Sequence, residues 1–102
     1  MIKHIVMMKF YDFADGQDKH QNLLKAKKLI EGLQNEIPEI VELVCGINCN
    51  ADDSIKSFDI VIDSVFKNID DINTYKIHPA HLELVDYLNL VREKTSFVDY
   101  EF

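Results

Sequence analysis

The sequence predicts an α+β fold, in which helices pack on one face of a four-stranded antiparallel sheet. Apolar and polar residues alternate along four short segments, which is typical of strands. Between these segments apolar residues repeat at three- and four-residue steps, which is typical of helices. Pro38 and Pro79 separate these segments. The resulting order, β-α-β-β-α-β, is typical of the ferredoxin-like fold. We expect residues 1–102 to form a single domain, since chains of roughly 100–150 residues usually build one core.

The first strand is predicted at residues 2–10, where apolar side chains occupy both faces at the centre. A loop with Gly16 follows, and a helix is predicted over residues 19–36. Its apolar stripe consists of Leu23, Ala26, Ile30, Leu33 and Ile37. Pro38 ends the helix, because proline disfavours helical geometry in the preceding residue.

Three further strands complete the predicted sheet. The second covers residues 40–49, and a polar turn separates it from the third at residues 58–66. The fourth is the closing stretch SFVDYEF, residues 96–102.

Two helices are predicted between the third and fourth strands. Asn68 is a suitable N-cap for the first, with Asp71 three residues later in a capping-box position. The second begins at Pro79, which suits a first helical turn, and runs to about Glu93.

The helices can cover only one face of such a sheet, although the first and third strands are apolar on both. The uncovered face needs a partner, and a second copy is the natural one for so small a chain. We therefore expect a homodimer that packs sheet against sheet, as a dimeric α+β barrel.

The formal net charge of −7 and the pI near 4.9 exclude some classes of partner. Nucleic-acid binding normally requires a basic surface, which this chain lacks, and anionic membranes repel an acidic protein.

The first ten residues alternate like a strand and are not typical of a signal peptide. No apolar run approaches the ~20 residues that cross a bilayer. We expect a cytoplasmic protein.

Cys45 and Cys49 are predicted to lie on one strand, four residues apart. At ~3.3 Å per residue their Cα atoms would be about 13 Å apart. A disulfide needs about 7 Å or less. We therefore expect two free thiols in a reducing compartment.

The stretch YKIHPAHLELV, residues 75–85, holds two of the four histidines. On a helical wheel His81 falls within an apolar arc, and His78 lies at its edge before Pro79. His4 shares a strand face with Val6, Met8 and Phe10, but strand alternation alone does not say whether that face meets the helices. If it does, His4, Tyr75 and His81 could surround one cavity.

Three roles suit an inward histidine: metal ligand, acid–base catalyst, or core residue with hydrogen-bonded ring nitrogens. Metal ligation is the least supported, because HxxH has no third ligand at characteristic spacing and HExxH is absent. The catalytic and core roles stay open on pattern alone.

Several stretches together resemble the stress-responsive A/B barrel domain family, often called Dabb. They are MIKHIVMMKF, EIPEI, Gly46, FDIVIDSVF, YKIHPAHL and FVDYEF, in the order of that family and over essentially the whole chain. The resemblance implies a ferredoxin-like subunit and a homodimer whose two sheets form a barrel.

YKIHPAH is similar to the corresponding stretch of polyketide cyclases of the olivetolic acid cyclase type. The resemblance implies that Tyr75 and His81 are a catalytic pair for a cofactor-free aldol-type cyclisation, with His4 beside them. It implies substrate contacts for His78 and for Asp59, which stands where those cyclases have another pocket histidine. The expected ligand is a small hydrophobic compound with a carbonyl group.

Other expectations also follow from the resemblance. Some relatives hold Mg²⁺ through backbone carbonyls, and the matching positions are Gln34, Ile37 and Ile40; otherwise no cofactor or metal is expected.

A non-catalytic stress-responsive or ligand-binding dimer is the alternative to an enzyme. Cofactor-free monooxygenases and haem enzymes of dimeric α+β barrel type are further alternatives, which the motifs match less well.

Overall fold

The computed structural model describes all 102 residues and has the ferredoxin-like α+β fold that the sequence predicts. Its elements are β1 Ile2–Phe10, β2 Phe13–Ala14, β3 Gln17–Asp18, α1 Lys19–Glu36, β4 Glu42–Ile47, β5 Ile60–Phe66, α2 Ile69–Ile77, α3 Pro79–Val91 and β6 Arg92–Glu101. The antiparallel four-stranded sheet has the order β4-β5-β1-β6. None of the helices is long and apolar enough to cross a membrane.

The first strand lies between β5 and β6, so its two faces define the two sides of the sheet. Ile2, His4, Met8 and Phe10 are buried beneath the helices. This settles which face of β1 meets the helical layer: it is the face that carries His4. The core continues into α1 through Leu23, Ala26, Ile30 and Leu33, the stripe that the sequence predicts.

The opposite sheet face has no covering layer. The strand register places Val44, Asp63, Ile5 and Val98 in one row of this face and Val61 with Met7 in the next. Val44 and Val98 are more than half exposed, and Asp63 is ion-paired with Lys3. A largely apolar sheet face left open in this way is typical of a surface that binds another protein.

A short hairpin, β2–β3, lies where the sequence analysis predicts only a loop. Asp15 and Gly16 have φ of 52° and 75°, the left-handed conformation that two-residue hairpin turns require. Asp18 then caps α1 through a capping box with Gln21. Each hairpin strand has only two residues, so alternation could not reveal it.

The boundary between α3 and β6 differs from the prediction. The helix ends at Val91, and β6 begins at Arg92 instead of residue 96. Arg92, Glu93 and Lys94 are good helix formers by themselves, but the last residues of β1 need a strand beside them. Phe10 pairs with Arg92 and Lys9 with Lys94, so tertiary pairing overrides local propensity.

Two other predicted strands are too long. The second strand covers 42–47 instead of 40–49, and the third begins at Ile60 instead of residue 58. Cys49 therefore lies beyond the strand that holds Cys45; both thiols are free, Cys45 buried and Cys49 exposed.

Candidate functional site

A sharp bend joins α2 to α3 and forms one end of the site. His78 alone separates the two helices and has extended backbone geometry, φ −62° and ψ 136°. Its ring Nδ1 accepts a hydrogen bond from the backbone N–H of Ala80 at 3.1 Å. His78 is thus the N-cap of α3, and Pro79, which prevents one continuous helix, occupies the first turn.

The bend turns His81 back over α2. Its Nδ1 lies 3.0 Å from the carbonyl oxygen of Lys76. Since a carbonyl only accepts, Nδ1 carries the proton and donates it, which leaves Nε2 as the unprotonated nitrogen of the neutral ring. Burial lowers the pKa of His81, although the bond to Lys76 opposes the shift. The ring is therefore neutral at pH 7.

Tyr75 lies directly against His81, with ring centroids 4.4 Å apart. Its side chain is buried between α2 and the sheet, where it also contacts Phe66. Burial raises the pKa of Tyr75 to about 12. Its hydroxyl consequently stays protonated at neutral pH and can donate a hydrogen bond.

His4 reaches the same place from β1, with its ring centroid 6.0 Å from that of Tyr75. Its Nδ1 contacts the carboxylate of Asp99, the residue opposite it in the β1–β6 ladder. This pairing fixes the orientation of the buried ring. Asp99 is a site residue that the sequence analysis misses.

A pocket of about 380 Å³ joins these groups between α2, α3 and the sheet. His4, Tyr75 and His81 all line it, together with mainly apolar side chains: Val6, Met8, Ile62, Leu82, Leu84, Val85, Leu88 and Phe97. Lys76 and Arg92 add two cationic groups that the sequence analysis does not single out. The volume suits a small organic molecule.

The structure places Asp59 away from this pocket, so its expected contact with substrate does not fit the geometry. Its buried carboxylate accepts a hydrogen bond from the backbone N–H of Phe10 at 2.8 Å and lies 3.4 Å from Nζ of Lys19. Asp59 thus has a structural environment. His78, also expected to touch substrate, is occupied by its capping bond and does not line the pocket.

The carbonyls predicted for Mg²⁺ lie where α1 ends. The carbonyl of Ile37 accepts a bond from the backbone N–H of Ile40 at 3.2 Å. The structure has no group of three or more His, Cys, Asp or Glu side chains placed to hold a metal ion. A site made of backbone carbonyls does not depend on such a group, so the Mg²⁺ site stays a prediction.

These features define a class of protein: a ferredoxin-like domain with a pocket between its helices and its sheet, and an uncovered second sheet face. Within this class, residues 2–102 match the stress responsive A/B barrel domain. The chain belongs to that family.

Three comparisons illustrate its relatives. Olivetolic acid cyclase from Cannabis sativa is 25% identical over 99 residues, which cover 97% of this chain and 94% of the cyclase. A dimeric ferredoxin-like protein of unknown function from Bacteroides fragilis is 33% identical, with a TM-score of 0.85 over 99% of this chain and 95% of its own. Hydroxynitrile lyase from Passiflora edulis shares the fold at 22% identity, with a TM-score of 0.78 over 97% and 90% of the two chains.

Proposed function

We propose that this protein is a homodimeric enzyme of the cyclase or lyase type, which removes a proton next to the carbonyl group of a small apolar substrate. The observation that supports it best is the state of His81. Its Nδ1 is held by a backbone carbonyl, and its Nε2 is left free beside a pocket. A histidine that served only to fill the core would have both nitrogens bonded to protein groups.

In the proposed step Nε2 of His81 accepts the proton from the carbon next to the carbonyl. Its lowered pKa keeps the base unprotonated at neutral pH, which a general base requires. The Tyr75 hydroxyl donates a hydrogen bond to the carbonyl oxygen and stabilises the enolate that forms. A pKa of about 12 ensures that this hydroxyl still carries its proton.

His4 and Asp99 act as the second pair of the site. The Asp99 carboxylate at Nδ1 holds the His4 ring in one orientation beside Tyr75. The other face of the pair borders the pocket, where His4 can help to position the substrate. The names of a cyclase relative and of a lyase with the same fold support this reaction class but do not carry a substrate to this chain.

The homodimer in this proposal forms through the open sheet face. Met7, Val44, Val98 and Tyr100 are all at least 40% exposed there. Burying such a face against a second copy removes the apolar area from water, at roughly 25 cal/mol per Å². A protein of the same fold that is 33% identical is described as dimeric, which supports this assembly. We propose that residues 1–102 act as one domain within each subunit.

Hydrogen–deuterium exchange of a simple ketone tests the reaction directly. The protein is incubated with 2-heptanone in D₂O, and loss of the protons next to the carbonyl is followed by ¹H NMR. We expect exchange above the buffer rate. His81→Phe should reduce it by about 10²–10⁴, the usual contribution of a general base, and Tyr75→Phe should reduce it less.

His20→Gln is the matched control, because His20 is an exposed histidine on α1 and its loss should leave exchange unchanged. Binding is monitored in parallel through the ring signals of His81. If the ketone shifts these signals but exchange stays at the buffer rate, the pocket binds without catalysis, and the non-catalytic dimer is the better description.

A further inference from the structure

Arg92 is a partly buried cation at the wall of a mainly apolar pocket. As the first residue of β6, directly after α3, it lies opposite Phe10 on the helix-covered side of the sheet. Its Nε and Nη2 both donate to the side-chain oxygen of Asn89, at 3.2 and 2.7 Å. These two bonds hold the guanidinium group in one orientation.

The charge of Arg92 has no counter-ion in the protein. None of the five ion pairs of the structure includes Arg92 or Lys76. Nη1 of Arg92 reaches only the Met8 sulfur, a weak acceptor, at 3.8 Å. Nζ of Lys76 lies 5.6 Å from the centroid of the Phe97 ring. Asp99, an acid on the same strand as Arg92, is already paired with His4.

Arg92 is only partly buried, so water solvates part of its charge, but its guanidinium group is oriented and has no anionic partner in the protein. Burial lowers the pKa of Arg92, and no acidic group offsets this. The end of the guanidinium group that carries Nη1 has no strong acceptor. A planar carboxylate is the group that arginine recognises best, through two parallel N–H bonds.

We propose that Arg92 binds a carboxylate of the ligand, so that the pocket selects small apolar carbonyl compounds that are also acids, such as oxo acids. This inference rests on the proposed function of the pocket and specifies its substrate class. The acid group would bind at Arg92, the apolar part would contact the leucine and valine side chains, and the carbonyl group would face Tyr75 and His81.

A matched pair of probes tests it: 4-phenylbutanoate and its neutral analogue, 4-phenylbutanamide. Binding at pH 7 is followed by NMR through His81 and Tyr75. We expect the wild-type protein to bind the acid about tenfold more tightly than the amide or better, as charge-assisted hydrogen bonds allow. Arg92→Gln should bring the ratio of the dissociation constants of amide and acid close to one, without weakening amide binding. Arg92→Lys should keep part of it.

Lys94→Gln is the control, because it removes one positive charge from an exposed residue of the same strand that does not line the pocket. It should keep the wild-type preference. Equal binding of acid and amide by the wild type would overturn the proposal while leaving a ligand pocket intact. The proposal would also be overturned if the preference for the acid over the amide survives Arg92→Gln, or if it depends on Lys76 instead. If neither probe shifts His81 or Tyr75 while 2-heptanone does, the Arg92 proposal fails and the proposed function stands. If none of the three compounds shifts these signals, the pocket is not a ligand site, and both proposals fail.

Discussion

Replacing Asp59 by alanine should destabilise the protein without touching the pocket. The first strand runs two residues past the last backbone pair with β5, which is Met8 with Ile60. Beyond that point the Asp59 carboxylate takes the place of a strand carbonyl and accepts the N–H of Phe10. Phe10 is 1% exposed, so its N–H is shielded from bulk water.

The expected cost follows from this burial. A buried donor that loses a charged acceptor costs about 2–3 kcal/mol. The nearby Lys19 contact, at 3.4 Å and partly exposed, adds little. In a domain of this size each kcal/mol lowers Tm by about 4–8 °C, so Asp59→Ala should melt roughly 10–20 °C below the wild type. Asp59→Asn keeps an oxygen for the Phe10 N–H and should lose far less.

Thermal unfolding followed by circular dichroism measures this difference. All variants are compared at one protein concentration, because dimerisation makes Tm depend on concentration. Binding of 4-phenylbutanoate to Asp59→Asn is measured alongside and should match the wild type. The reasoning is refuted if Asp59→Ala melts within about 2 °C of the wild type, or if Asp59→Asn is as stable as the wild type but loses the ligand.

Three further outcomes are expected. The pKa of His81, measured by NMR titration of its ring, should lie below 6.5; because the folded state then binds this proton less readily than the unfolded state, the stability from His81 is present above pH 6.5 and is lost as pH falls. A titration at or above 6.5 would contradict the burial argument. Met7→Lys on the open sheet face should convert a dimer into a monomer in light scattering, whereas Leu24→Lys, on the exposed side of α1, should not; an unchanged dimer in Met7→Lys would exclude this face. Cys49 should react rapidly with a thiol reagent and Cys45 should not, since Cys45 is buried and its pKa is raised to about 11; equal labelling of both would contradict the burial of Cys45.

The order of the elements could be predicted from sequence because apolar residues repeat every second residue in the long strands and at three- and four-residue steps in the helices. The bend at Pro79 could be predicted as well, since proline restricts the backbone by local chemistry alone. Tyr75 and His81 lie on either side of that bend. Local rules were therefore enough to indicate that these two residues share one side of the helices.

Asp99, Arg92 and the environment of Asp59 could not be predicted in this way. The contact between Asp99 and His4 depends on the register of two strands 95 residues apart in sequence, and alternation gives the face of a residue but not its partner. Local propensity predicts that the helix continues through Arg92, so the sequence does not indicate its position in the pocket. The position of Asp59 depends on where pairing between two strands stops, which is a tertiary property.

The single residue between α2 and α3 makes the length of this segment a functional constraint. One residue inserted at His78 would lengthen this link and displace the start of α3 from the end of α2. His81 would then lose the Lys76 carbonyl, and the buried side chains of α3 would be displaced with it. We therefore expect an inserted residue to be tolerated far better in the exposed loop from 49 to 57 than at this link.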